Sequence, residues 1–191
     1  MLVLALDTSA DITVALVRDG VAVAHRRVAE QRRHAELLAP LVAEVLTEAG
    51  VDRRALDAVV VGTGPAPFTG LRAGLVTART LAWSLGLPVL GVCSLDAYAV
   101  QAYADGAAPW AEVLVVTDAR RRELYTARYR LGRPDGAGGR DVELVAGPAV
   151  VHPATLAQDP ATAGALVVGP GAGLYPADLV GAAGPTALDP A

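Results

Sequence analysis

The chain contains no lysine and no asparagine, and all 16 of its basic residues are arginines. Without lysine a Walker A loop is excluded, because that loop places a Lys ammonium on the nucleotide phosphates. A single cysteine, Cys93, rules out an intramolecular disulfide and suits a reducing cytoplasm. Aromatic residues make up only 4%, so the core must be built from Ala, Val and Leu, which the 53% hydrophobic content supplies. No apolar run approaches the ~20 residues that cross a bilayer. The start, MLVLALDTSAD, enters an apolar strand with no basic segment and no cleavage site. We therefore expect no signal peptide, no membrane association and a cytoplasmic location. The net charge is −4, and the only dense basic cluster is Arg120-Arg121-Arg122, which argues against independent nucleic-acid binding. His25, His34 and His152 are scattered, none at ligand spacing from another, so no metal site is expected.

Residues 57–83, DAVVVGTGPAPFTGLRAGLVTARTLAW, carry the densest local signal. Val59-Val60-Val61 reads as a buried strand and Gly62-Thr63-Gly64-Pro65-Ala66-Pro67 as a loop. Thr69 reads as the N-cap of a helix on which Leu71, Leu75, Ala78 and Ala82 recur at helical spacing. Strand, glycine loop and helix N-terminus together make a geometry that can face phosphate. Two readings of the glycines stand side by side. Either they cradle phosphate, or Gly62 and Gly64 make the turn while Gly70 and Gly74 let a neighbouring helix approach closely; the second is preferred. On the same helix Arg72, Val76, Arg79 and Trp83 form another stripe, at spacings of four, three and four. A Trp with two Arg has the composition of an interface hot spot; the alternative is a solvated face with Trp83 half buried.

The chain also repeats itself. Residues 2–20 read as strand, turn after Asp7, strand, and a turn at Asp19-Gly20 into a third strand near 21–28. Residues 113–132 follow the same plan, with Asp118 in the place of Asp7 and Gly132 in that of Gly20. Val59-Val60-Val61-Gly62-Thr63-Gly64 has its counterpart in Leu166-Val167-Val168-Gly169-Pro170-Gly171. Similar elements at similar spacing predict duplicated lobes, here 1–105 and a shorter 106–191. Each would hold three antiparallel strands followed by helix and parallel-strand units, a mixed α/β sheet covered by helices. In the first lobe helices are expected at 34–49, 69–86 and 94–104, with strands near 58–62 and 88–92. Residues 132–140 read as a flexible hairpin loop. The tail 181–191 has turn chemistry only, and Asp189-Pro190 would start a helix well, so the natural chain is expected to continue.

A duplicated lobe with an Asp at the end of its first strand and a glycine loop facing it resembles the actin, sugar-kinase and Hsp70 chaperone ATPase fold. Within that superfamily the chain is similar to the TsaB family. The resemblance rests on LDTS at 6–9, HAELLAP at 34–40, GTGPAPFTGLRAGL at 62–75, PVLGVCSLDAYA at 88–99 and DARRRELY at 118–125. It covers residues 1 to about 130 well and the remainder loosely. It implies a noncatalytic scaffold in tRNA threonylcarbamoyladenosine synthesis, a pseudoenzyme in a heterodimer with the catalytic paralogue TsaD. In the paralogue the strand after the glycine-loop helix leads into a metal-binding His-x-x-x-His pair. Ser94 and Tyr98 stand at those positions here, and a hydroxyl and a phenol are poor substitutes for two imidazoles.

The resemblance further implies that ATP and metal are used by partner subunits and that a TsaE-like ATPase and tRNA join through the complex. The interface expected from it lies on the first-lobe helices, at Leu37, Leu38, Leu41, Arg72, Val76, Arg79 and Trp83. Without a partner this apolar surface predicts a homodimer. A nucleotide cleft, if present, would use Asp7, Thr8, Gly62, Gly64, Asp118 and Arg120; the other reading of Asp7 is a turn Asp that bonds local amides. His34 is expected as a first-turn residue without catalytic duty, and Arg120 either holds Asp118 or reaches across the cleft. Arg121 and Arg122 are open between an RNA or partner contact and a solvated turn. The alternative function is an active ATPase or phosphotransferase of the same superfold. A peptidase ranks last: Ser84 lies in a helix, lacks the first glycine of a nucleophile elbow, and has no Ser-His-Asp arrangement around it.

Overall fold

Alternation along the first strand sets the architecture. In the computed structural model of the chain, which describes residues 1–29, 33–134 and 140–179, Leu2, Leu4 and Leu6 of β1 (Leu2–Asp7) share one core. β1 is the middle strand of a five-stranded sheet ordered β3-β2-β1-β4-β5. β2 (Ile12–Arg18) runs antiparallel to β1 and β3 (Val21–Val28) antiparallel to β2. β4 (Ala58–Gly62) and β5 (Val89–Val92) continue the sheet in parallel, with Leu4 opposite Val59 and Val60 opposite Leu90. β5 is the edge, and all four of its residues are exposed.

Two helices close the core. α1 (His34–Glu48) inserts Leu38, Leu41, Val42, Val45 and Leu46, a stripe at i, i+3, i+4, i+7 and i+8, against Ile12, Val14 and Leu16. The whole of this stripe packs into the core of the sheet. Leu38 is 1% exposed and Leu41 6%, and Leu37 packs part-buried against the same cluster. Leu38 and Leu41 are therefore core residues and not surface positions, a correction to the interface expected from the sequence. α2 (Phe68–Leu85) turns Gly74, Ala78 and Ala82 inward and ends on Gly86 in the left-handed conformation. It begins before Thr69: Pro67 occupies the N-cap, with no side-chain cap, and Thr69 is exposed in the first turn.

Contacts divide the chain into two compact units, Met1–Ser94 and Leu95–Ala191, one helix earlier than the 105/106 boundary expected. α3 (Ser94–Ala104) groups with the second unit because Asp96 accepts a hydrogen bond from the Tyr129 hydroxyl, at 2.6 Å, and Tyr129 is buried. The second unit repeats the first. β6 (Glu112–Arg120) is antiparallel to β7 (Glu123–Pro134), which is antiparallel to β8 (Arg140–Val151), and β6 is parallel to β9 (Leu166–Val168), in the order β8-β7-β6-β9. Its core gathers Leu114, Val116, Leu124 and Val167 with Leu156 of α4 (Pro153–Gln158). The shared β-β-β-α-β layout is the duplication expected from the sequence. The hairpin loop expected over 132–140 falls largely, at 135–139, outside the described residues, as does the tail 181–191. Among the described residues no helix is long and apolar enough to cross a membrane.

Two tight hairpin turns of the chain, β2–β3 and β6–β7, are built from different residues. Arg18 pairs with Val21, leaving Asp19 and Gly20 as a two-residue hairpin loop with φ of 51° and 83°. Arg120 pairs with Glu123, leaving Arg121 and Arg122 at φ of 53° and 64°, after Arg120 itself at 68° beside a register shift. Such turns require positive φ and favour Asn, Asp or Gly. A side chain there costs roughly 1–2 kcal/mol per residue. Replacing Arg121 by Asn and Arg122 by Gly is thus expected to raise stability by ~1 kcal/mol or more, a rise of about 2–4 °C in Tm per kcal/mol for a chain of this size. A calorimetric scan reads it, and a Tm at or below that of the parent would contradict it.

Candidate functional site

At the end of β1 the Asp7 carboxylate is enclosed by three elements. Its Oδ1 accepts from the Ser9 amide at 2.7 Å and the Ser9 hydroxyl at 2.5 Å, an Asx turn that bends the chain from β1 into β2. Its Oδ2 accepts from the Ser94 hydroxyl, the first residue of α3, at 2.6 Å. Ser94 is buried, its Oγ also accepts from the Gly64 amide at 3.2 Å, and its own amide donates to the Gly64 carbonyl at 2.8 Å. Thr63 bonds the Val92 carbonyl through amide and hydroxyl. Gly62 is where the carboxylate passes closest to backbone: a Cβ there would lie 1.8 Å from Asp7 Oδ2.

Thr8, the neighbour of Asp7, is 2% exposed and donates to the Gly70 carbonyl at 2.9 Å. Gly70 and Gly74 give it room. A Cβ on Gly74 would meet Thr8 Oγ1 at 2.4 Å, and one on Gly70 would meet the His34 ring at 3.1 Å. The His34 imidazole opens α1, is buried, and its Nε2 has no hydrogen-bond partner. These two helix glycines therefore face inward, to the β1–β2 turn and to α1.

The arrangement fits a structural pin better than a phosphate cradle. The amides of Thr63 and Gly64 are taken up by Val92 and Ser94, Thr8 is sealed from solvent, and a carboxylate occupies the space against Gly62. Ser94, read from the sequence as the replacement of a metal-binding histidine, holds Asp7 and the glycine loop together; Tyr98 follows one turn along α3. Among the described residues no group of three or more His, Cys, Asp or Glu is placed to hold a metal ion. Ser94→Ala removes the donor to Asp7 and leaves the buried Gly64 amide without its acceptor. We expect a loss of about 1–3 kcal/mol in a urea titration, and a change under ~0.5 kcal/mol would refute the pin.

In the second unit Asp118 repeats the Asp7 turn. Its Oδ1 accepts from the Arg120 amide at 2.8 Å, against 2.7 Å for Asp7 and Ser9. Its Oδ2 accepts from the Arg120 guanidinium at 3.1 Å, so Arg120 holds Asp118 in place. The structure thus brings Asp7, Thr8, Gly62 and Gly64 together in the first unit and places Asp118 and Arg120 in the second.

The outer face of α2 is open. Arg72, Val76, Arg79 and Trp83 are all exposed, Trp83 at 85% and Val76 at 54%. Trp83 is not half buried. Phe68, 74% exposed, extends the stripe by one turn, with the Arg72 guanidinium 5.7 Å from its ring centroid. Sequence reasoning missed Phe68 because it started the helix at Thr69; the four-residue spacing to Arg72 was the available signal.

Comparison with known proteins places these features. The family model described as TsaD, tRNA N6-adenosine threonylcarbamoyltransferase, matches residues 25–172. An uncharacterised protein of Mycobacterium tuberculosis is 50% identical over 130 residues, 66% of this chain and 58% of the relative. The tRNA threonylcarbamoyladenosine biosynthesis protein TsaB of Escherichia coli is 35% identical over 153 residues, 80% of this chain and 65% of the relative. A solved Pseudomonas aeruginosa structure, described as similar to the peptidase YeaZ, superposes with a TM-score of 0.79 at 36% identity, over 98% of this chain and 83% of that one. The chain spans less than two thirds of the length of these curated relatives, 58% and 65% respectively.

Proposed function

The chain belongs to the TsaB family of tRNA threonylcarbamoyladenosine biosynthesis proteins, and from this we propose that it is a noncatalytic subunit that pairs with a TsaD-like paralogue and holds it active. The pair, joined by a TsaE-like ATPase, would transfer a threonylcarbamoyl group to the adenosine beside the anticodon of certain tRNAs. ATP and metal ion belong to the partner subunits in this reading, and the work is done in the cytoplasm. The observation that carries it is the α2 stripe. Phe68, Val76 and Trp83 present three large apolar side chains to solvent with Arg72 and Arg79 between them. This is the residue mix of a desolvated anchor, and a surface of this kind marks a partner site. The noncatalytic part is supported by Ser94, whose hydroxyl serves Asp7 and the glycine loop.

Light scattering on this chain mixed with the His-x-x-x-His paralogue of the same organism tests the proposal. A stable one-to-one species is expected, and the chain alone is expected to self-associate through the same stripe. No complex, with or without nucleotide, would overturn it and turn attention to ATP hydrolysis by the lone chain.

A further inference from the structure

We propose that Arg121 and Arg122, at the tip of the β6–β7 turn, are a contact for RNA phosphates, a site that deepens and rests on the reading above. Three consecutive arginines sit at φ between 53° and 68°, the region that favours glycine. The chain has the ordinary solution at hand. It places Asp-Gly in the two-residue β2–β3 turn of the first unit, and among the described residues seven further glycines occupy positive φ. Backbone preference therefore does not select arginine here, and strain of this kind is kept where side chains have a task.

The chemistry of the turn narrows the ligand. Arg120 is committed to Asp118, which it holds through amide and guanidinium. Arg121 and Arg122 are exposed at the tip, with Glu123 half-buried behind them and its carboxylate 3.8 Å from His152. Two adjacent guanidinium forks suit neighbouring phosphates, each able to bind two oxygens. A narrow hairpin tip without an apolar side chain of its own offers little area to a protein partner but needs none for a phosphate backbone. Such a contact positions the RNA without reading its bases, which agrees with a chain of net charge −4 that contributes a few contacts to a larger assembly.

The test measures binding of an unmodified tRNA transcript to the chain paired with its paralogue, by fluorescence anisotropy over a series of salt concentrations. Three forms are compared: the parent, the Arg121→Asn/Arg122→Gly double variant, and the Arg121→Lys/Arg122→Lys double variant. Removing two phosphate contacts lowers the magnitude of the slope of log K against log salt by about 1 for each. The lysine variant is expected to keep most of the slope. A slope unchanged in the Asn/Gly variant overturns the proposal. So does loss of pairing with the paralogue in that variant, read by light scattering, which would give the turn to a protein interface. Failure of the parent chain to pair at all would instead sink the function above; the slopes would then be taken on the chain alone and decide the turn by the same criterion.

Discussion

Trp83→Ala is expected to weaken pairing with the TsaD-like paralogue by ~2 kcal/mol or more, about 30-fold in Kd, while leaving the folded chain as stable as before. The two halves of this expectation come from one number, the 85% exposure of Trp83. In the unpaired chain the indole touches little, so its removal should change unfolding by no more than ~0.5 kcal/mol. At an interface the same ring would leave water almost entirely. Burial of ~150–250 Å² at ~25 cal/mol per Å² gives an upper bound of roughly 4–6 kcal/mol, of which ordering and desolvation remove part. Phe68 lies at the far end of the same stripe, roughly 22 Å along the helix from Trp83, so truncating both should cost close to the sum of the single changes. Calorimetric titration gives Kd and a thermal melt gives stability. An unchanged Kd would remove Trp83 from the interface, and a large fall in Tm would mean that the ring supports the fold.

Gly62→Ala is expected to destabilise the first unit by ~3 kcal/mol, a fall of roughly 6–12 °C in Tm. The added methyl would lie 1.8 Å from Asp7 Oδ2, 2.6 Å from its Cγ and 2.8 Å from Ser94 Oγ. The carboxylate cannot step aside freely, because Ser9 holds one oxygen and Ser94 the other. Relief requires breaking the Asp7–Ser94 bond or displacing β4, whose own Val59 and Val61 are core residues. A cycle with Asp7→Ala separates this collision from a general backbone effect. With the carboxylate gone the methyl has room, so the double variant should be more stable than additivity predicts by at least ~1 kcal/mol. Strict additivity would show that the glycine is needed for a reason other than the carboxylate.

The elements of this fold could be read from the chain because each carries its own period. The alternation of Leu2, Leu4 and Leu6 and the helical spacing of Leu71, Leu75, Ala78 and Ala82 are local facts. The turn reading of Gly64, at φ 81°, was equally local, whereas Gly62 ends β4 opposite Val92 and makes room for Asp7 instead of a turn. What escaped depends on neighbours distant in sequence. The resemblance put Leu38 and Leu41 at a partner interface, yet helical periodicity does not say how much of a helix the sheet will cover, and both are covered. Ser94 could be compared with a histidine but not seen as the partner of Asp7, 87 positions away. The start of α2 slipped because Thr69 has cap chemistry whereas Pro67 takes the position with no side-chain bond.

The Asp7–Ser94 hydrogen bond also orders events during synthesis. β1 leaves the ribosome before β4, its parallel neighbour, which begins at Ala58, and the Asp7 carboxylate is matched only when Ser94 has been added. At roughly 5–20 residues per second, the 87 positions between Asp7 and Ser94 take about 4–17 s. Until β4 is made β1 has one edge open, and until Ser94 is added the Asp7 side chain has only Ser9 to hold it. Fixing the Asp7 carboxylate is therefore a late, long-range step in closing the first unit.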